Sequence, residues 1–225
     1  MTCAEVLALL ARCGSEENRA GMARYGINTT SAFGVSVTEL RRIAKPIGTD
    51  HRLALELWET GNHEAQLLAG MIDDPSLVDE AQLERWAAGF DSWDICDQTC
   101  ANLFERTALA QVKAVEWAER EEEYVKRAAF ALMAALAWHD KRAPDELFEG
   151  FLPVIAAAAA DERNFVKKAV NWALRNIGKR NPALNAAAAA CARQIAAQGT
   201  RSARWIASDA LRELTSAKVQ QRLAK

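Results

Sequence analysis

Three stretches of the chain repeat one pattern at a nearly constant interval. Val125-Lys126-Arg127-Ala128-Ala129-Phe130-Ala131-Leu132 returns about 41 residues later as Val166-Lys167-Lys168-Ala169-Val170-Asn171-Trp172-Ala173-Leu174. Ser202-Ala203-Arg204-Trp205-Ile206-Ala207-Ser208-Asp209-Ala210-Leu211 echoes it some 36 residues on. A sequence with such a period folds by stacking similar units, each burying its apolar face on the next. The units are helical. Strand patterns are nearly absent, and the 11 Gly and 5 Pro fall mainly between segments of 3.6-residue periodicity. Helices are predicted over 3–12, 15–25, 36–46, 50–59, 62–73, 79–90, 92–105, 109–119, 121–138, 144–160, 163–179, 182–197, 201–214 and 216–223. Asp74-Pro75, Asp140 to Pro144 and Asn181-Pro182 supply the turn chemistry that stops them. Ser36, with Glu39 three residues on, reads as a helix N-cap. No boundary interrupts the pattern, so residues 1–225 read as a single repeat domain.

A period near 40 with two helices per unit is that of an all-α, HEAT-like helical-repeat solenoid. A coiled-coil bundle is the alternative, but no sustained heptad supports it. In a solenoid the second helix of each pair lines a concave surface, where Arg127, Lys168 and Arg204 could share one groove. Charge is divided along the chain. Residues 163–225 hold 13 Lys and Arg against only Asp209 and Glu213, whereas residues 1–162 hold 15 against 28 Asp and Glu. The net charge of −2 therefore conceals a basic C-terminal part suited to a polyanion. The five cysteines lack paired CxxC spacing and read as reduced thiols. No membrane span or leader is evident, which makes the cytosol the expected compartment.

Residues 165–182 concentrate the chemistry. On a helix, Lys168, Trp172, Arg175 and Lys179 fall on one stripe, opposite Val166, Ala169, Val170, Ala173, Leu174 and Ile177. Cations around an indole suit a phosphate backbone with a base nearby, although a solvated face with one amphipathic Trp would look the same. Trp93 and Asp97, in Asp91-Ser92-Trp93-Asp94-Ile95-Cys96-Asp97, lie four apart, with Cβ atoms about 5–6 Å from each other on a helix. An indole face and a carboxylate together would stabilise positive charge. Against this, Asp94 or Asp97 could pair with Arg106, and Trp93 could be core. Arg127 and Lys126 open a strongly apolar helix, with Glu122 and Glu123 as possible partners one turn away. Tyr25 is one of two tyrosines. No cofactor is expected. Cys96 and Cys100 find no second Cys/His pair for a metal, His51, His63 and His139 lie far away in sequence, and phosphate loops, GxSxG and HExxH are missing.

Met22 to Tyr25, Ser92 to Asp97, Val125 to Phe130 and Phe165 to Pro182, in this order, resemble the bacterial DNA alkylation repair family of AlkD-like, HEAT-repeat alkylpurine DNA glycosylases. The resemblance runs over roughly 5–215. It implies a C-shaped solenoid whose basic concave face grips duplex DNA and whose members release 3-methyladenine and 7-methylguanine as free bases, without a base swung into a deep pocket. It assigns the catalytic carboxylate to Asp97, the cleft aromatics to Trp93 and Trp172, the cleft arginine to Arg127 and a DNA-facing tyrosine to Tyr25. Ser92 departs from relatives that carry a second aromatic there. Lys168, Arg175, Lys179, Arg180 and Arg204 would then hold the DNA backbone. The expected protein is a cofactor-free monomeric glycosylase acting on alkylated double-stranded DNA. Two alternatives remain open: a HEAT-repeat protein that binds DNA structures without catalysis, and a protein-interaction scaffold.

Overall fold

The chain is all-helical. The computed structural model describes residues 1–224, which form fourteen α-helices and two 3-10 turns and contain no strand. They divide into two compact units, with the boundary between Leu109 and Ala110. None of the described helices is long and apolar enough to cross a membrane.

The first unit holds α1 (Cys3–Cys13), α2 (Glu16–Arg24), α3 (Val37–Ile47), α4 (His51–Trp58), α5 (His63–Ile72), α6 (Glu80–Ala88) and α7 (Trp93–Asn102), followed by a 3-10 turn, Phe104–Arg106. Its helices begin where short polar side chains can take over an orphan amide. Thr2, Ser15, Ser36, Asp50, Asn62 and Asp79 each accept a hydrogen bond from the backbone N–H three residues on. Ser36 caps α3 as expected, but Glu39 turns away to bond Arg42 rather than closing a reciprocal box. The core is aromatic. Trp58 of α4 stacks on Trp86 of α6 with centroids 4.0 Å apart and planes 3° from parallel, and Phe90 and Phe104 pack around them. That cluster explains why the helix predicted over 92–105 is broken. Leu103 leaves helical geometry (φ −126°, ψ −63°), and the tighter turn that follows buries Phe104 completely beside Trp86.

The second unit holds α8 (Ala110–Glu116) with the 3-10 turn Trp117–Glu119, α9 (Glu123–His139), α10 (Asp145–Ala158), α11 (Asn164–Ile177), α12 (Pro182–Ala197), α13 (Arg201–Leu214) and α14 (Ala217–Leu223). α9, α11 and α13 pack side by side in one layer, and α10 and α12 pair in a second. Small side chains allow α9 to be surrounded: Ala128, Ala129, Ala131 and Ala134 have no exposed surface.

The repeat is written into the hydrogen bonds. In the second unit Asn176 bonds the carbonyl of Ala134, Ser202 that of Ala159, and Arg222 that of Lys179, spanning 42, 43 and 43 residues. In the first unit the corresponding links are shorter. Asn62 donates to Ser31 O and His63 meets Asp94, each 31 residues away. The HEAT-like repeat is thus about ten residues tighter at the N-terminal end, where no sequence echo was visible.

Candidate nucleic-acid interface

Trp93 is the first residue of α7 and Asp97 lies one turn further, both half-buried. The start of this helix is fixed from two sides. On one side lies the segment after α2. Trp93 Nε1 donates to the carbonyl of Tyr25 (3.1 Å), Asn28 N donates to Ser92 Oγ (2.8 Å), and Asn28 Nδ2 donates to Asp91 (2.6 Å). Ser92 occupies the N-cap position without capping, because its hydroxyl is spent on Asn28. Tyr25 itself is three-quarters exposed beside this junction. On the other side, His63 Nε2 meets Asp94 Oδ2 at 2.9 Å, with the imidazole almost wholly buried. Burial alone would push the imidazole pKa down. The hydrogen bond to Asp94, its charge and those of Glu64 and Asp91 outweigh that and raise it. Asp94 is thus spoken for by His63, and Trp93 lies neither in the aromatic core nor free of the fold.

In the second unit, α11 carries Lys168, Trp172 and Arg175, whereas Lys179, expected on the same helix, lies two residues past its end at Ile177, in the turn that follows. Lys168 is exposed and Trp172 half-buried. Arg204, on α13, is also exposed, with Nη1 bonded to the carbonyl of Gly199 at 2.6 Å. The other expected backbone contacts are committed to the protein. Arg127 is buried and donates to Phe165 O (2.6 Å), while its neighbour Lys126 approaches Asp161 at 3.6 Å. Arg175 Nη1 lies 3.2 Å from Asp209 and 2.8 Å from Glu213, and Lys179 Nζ lies 2.9 Å from Glu213. Arg180 stacks on Phe148 at 3.9 Å and donates to the carbonyls of Ala137, Asp140 and Ala143, which makes it a clasp between helix ends. Burial lowers its pKa against the pull of Asp145 and Asp140. The stripe therefore has an open N-terminal half and an occupied C-terminal half.

Several participants were not singled out from the sequence: Asn28, His63, Asp209, Glu213 and Trp205. The last is 40% exposed with Lys167 Nζ 5.4 Å from its ring centroid. Only the Asp209/Glu213 pair left a linear signal, because its four-residue spacing copies that of Arg175 and Lys179.

Residues 6–214 match the family model described as DNA alkylation repair enzyme. A solved structure described as representing a new family of proteins related to the HEAT-like repeat DNA glycosylases, with affinity for branched DNA structures, superposes with a TM-score of 0.81. It is 21% identical, and the match covers 99% of this chain and 96% of that one, which establishes the HEAT-like fold. A crystal structure of an engineered protein matches at 17% identity over 79% of this chain and 91% of that one, with a TM-score of 0.40. No curated protein matches. With the family model spanning nearly its whole length, the chain belongs to the DNA alkylation repair enzyme family.

Proposed function

We propose that the protein is a monofunctional DNA glycosylase that hydrolyses the N-glycosidic bond of cationic N-alkylated purines such as 3-methyladenine and 7-methylguanine. The observation that carries this reading is the pairing of Trp93 with Asp97, one turn apart on a helix start anchored by Asn28 and His63, in a chain of the alkylation repair family. Alkylation at a ring nitrogen makes the purine a cation and a good leaving group. The C1′–N9 electron pair passes to N9 and neutralises the ring, so no acid is needed to protonate the base. Positive charge accumulates on the deoxyribose, where the Asp97 carboxylate stabilises it, orients the attacking water and takes its proton. Trp93 and Trp172 contact the sugar and the electron-poor lesion through their π-faces. Tyr25, Lys168 and Arg204 make direct backbone contacts, and Arg127 supports a phosphate from its buried position.

The test is release of free base from a duplex carrying a single 7-methylguanine. Wild-type protein releases it, and Asp97→Asn slows release on the order of a hundredfold or more while binding persists. A second reading, DNA-structure binding without catalysis, is favoured by the structural neighbour described as having affinity for branched DNA. Retained binding to a four-way junction with no base release by the wild type would select it.

A further inference from the structure

Asp209 and Glu213 are the only acidic residues after position 162, in a stretch holding 13 Lys and Arg. Both stand on α13, one turn apart, and meet Arg175 near the end of α11 and Lys179 in the turn just after it. Two carboxylates among so many cations meet the two that extend the Lys168–Trp172 stripe. We propose that Asp209 and Glu213 are internal competitors for DNA phosphate, which lower the protein's affinity for the DNA backbone. This rests on the DNA reading above.

The geometry is that of an exchangeable latch. Both carboxylates approach the same Nη1 of Arg175, and its Nε is buried without an acceptor, so the guanidinium is incompletely satisfied. Burial alone would push the Glu213 carboxyl up, but the hydrogen bond from Lys179 and the charges of Arg175 and Lys179 hold it below the usual carboxylate range. It therefore remains an anion wherever DNA would be bound. Asp209 is the more firmly held of the two, because its Oδ2 also accepts from the buried Asn171 Nδ2 of α11 (2.7 Å) and its Oδ1 meets Arg212, but the α11–α13 contact does not rest on the ion pairs. α13 buries Ile206, Ala210 and Leu214 completely, and partly exposed ion pairs add little to packing. A phosphate reaching Arg175 or Lys179 must displace a carboxylate, whereas one reaching Lys168 need not.

Binding of an undamaged, end-labelled duplex, followed by fluorescence anisotropy between about 50 and 200 mM salt, tests this. Glu213→Gln and Asp209→Asn are compared with wild type and with Glu149→Gln, which removes an exposed charge from α10. The latch predicts tighter binding by both α13 variants than by Glu149→Gln. It also predicts a salt slope steeper by about 0.9 for each cation that gains a phosphate. Adding Lys179→Gln to Glu213→Gln should return the slope towards wild type. Equal affinity and slope for Glu213→Gln and Glu149→Gln would overturn the proposal while leaving the DNA reading intact. So would a lower melting temperature with an unchanged slope, which would make the pairs packing staples. No binding by any of these proteins would remove the latch together with the DNA reading.

Discussion

Glu64 has no exposed surface, yet its carboxylate accepts backbone hydrogen bonds from Phe33 (2.8 Å), Gly34 (2.7 Å) and Val35 (3.1 Å). Gly34 sits at φ +84°, and a Cβ there would meet Ser15 O at 2.1 Å, so the turn that aims these amides admits no side chain. Replacing Glu64 with Gln sets an NH₂ against amide donors and orphans at least one of them, at a cost of about 1–3 kcal/mol in a urea titration. Next to it, the His63–Asp94 pair makes stability depend on pH. The folded-state pKa of His63 is raised, so its contribution is fully present below the unfolded value of about 6.5 and is lost as pH rises through the folded value. Denaturation midpoints should fall over that window above about 6.5, and the fall should disappear in His63→Gln. Neither pair is legible in the sequence. His63 stands among three scattered histidines, and nothing local ties it to a carboxylate 31 residues away.

Helices were legible where their chemistry is local. Ser36 caps α3, Asn181-Pro182 opens α12 with the Asn side chain on Leu184 N, and the observed ends lie within a few residues of those expected. They were misjudged where tertiary packing decides, as at Leu103 and at the 3-10 turn that closes α8. Gly178 illustrates packing of that kind, because it ends α11 with an ordinary φ of −69°. Its demand is for space. A Cβ would stand 2.9 Å from Ala188 Cβ and 2.7 Å from Leu214 Cδ2, and the Ala188 backbone cannot yield as a side-chain tip can. Gly178→Ala should therefore destabilise the protein by about 1–3 kcal/mol, although alanine is the better helix former. α12 offers a contrasting check. Its Cys191 thiol is buried, bonds Leu152 O at 3.5 Å and is pushed up to about 11. In native protein at neutral pH a thiol reagent should modify the half-buried Cys3 and Cys13 well before Cys191, which should react only on unfolding.

At the scale of the whole molecule the charge division is blunted when read by unit, because the switch at residue 163 falls inside the second unit. Residues 1–109 hold 9 Lys and Arg against 17 Asp and Glu, a net of −8, and residues 110–225 hold 19 against 13, a net of +6. The sequence disclosed this asymmetry, but composition counts Arg175, Lys179 and Arg180, which are bonded within the protein, as equal to the exposed Lys168. Their acceptors stand 34 to 43 residues away, on α13, at the end of α9 and in the segment that follows α9. The distinction has a measurable consequence. If exposed cations of the second unit hold the backbone, the salt slope of DNA binding counts them individually, at about 0.9 per phosphate contact. Lys168→Gln with Arg204→Gln should then flatten the slope by about 1.8 and weaken binding most at low salt. Arg180→Gln should instead lower the melting temperature, since it cuts carbonyl bonds to Ala137, Asp140 and Ala143, with little change in slope among molecules that remain folded. Arg52→Gln, on α4 with a side chain 90% exposed, should alter neither. A slope that responds to Arg52 as strongly as to Lys168 would mean that the protein answers to net charge alone, and the residue assignments on α11 and α13 would fall.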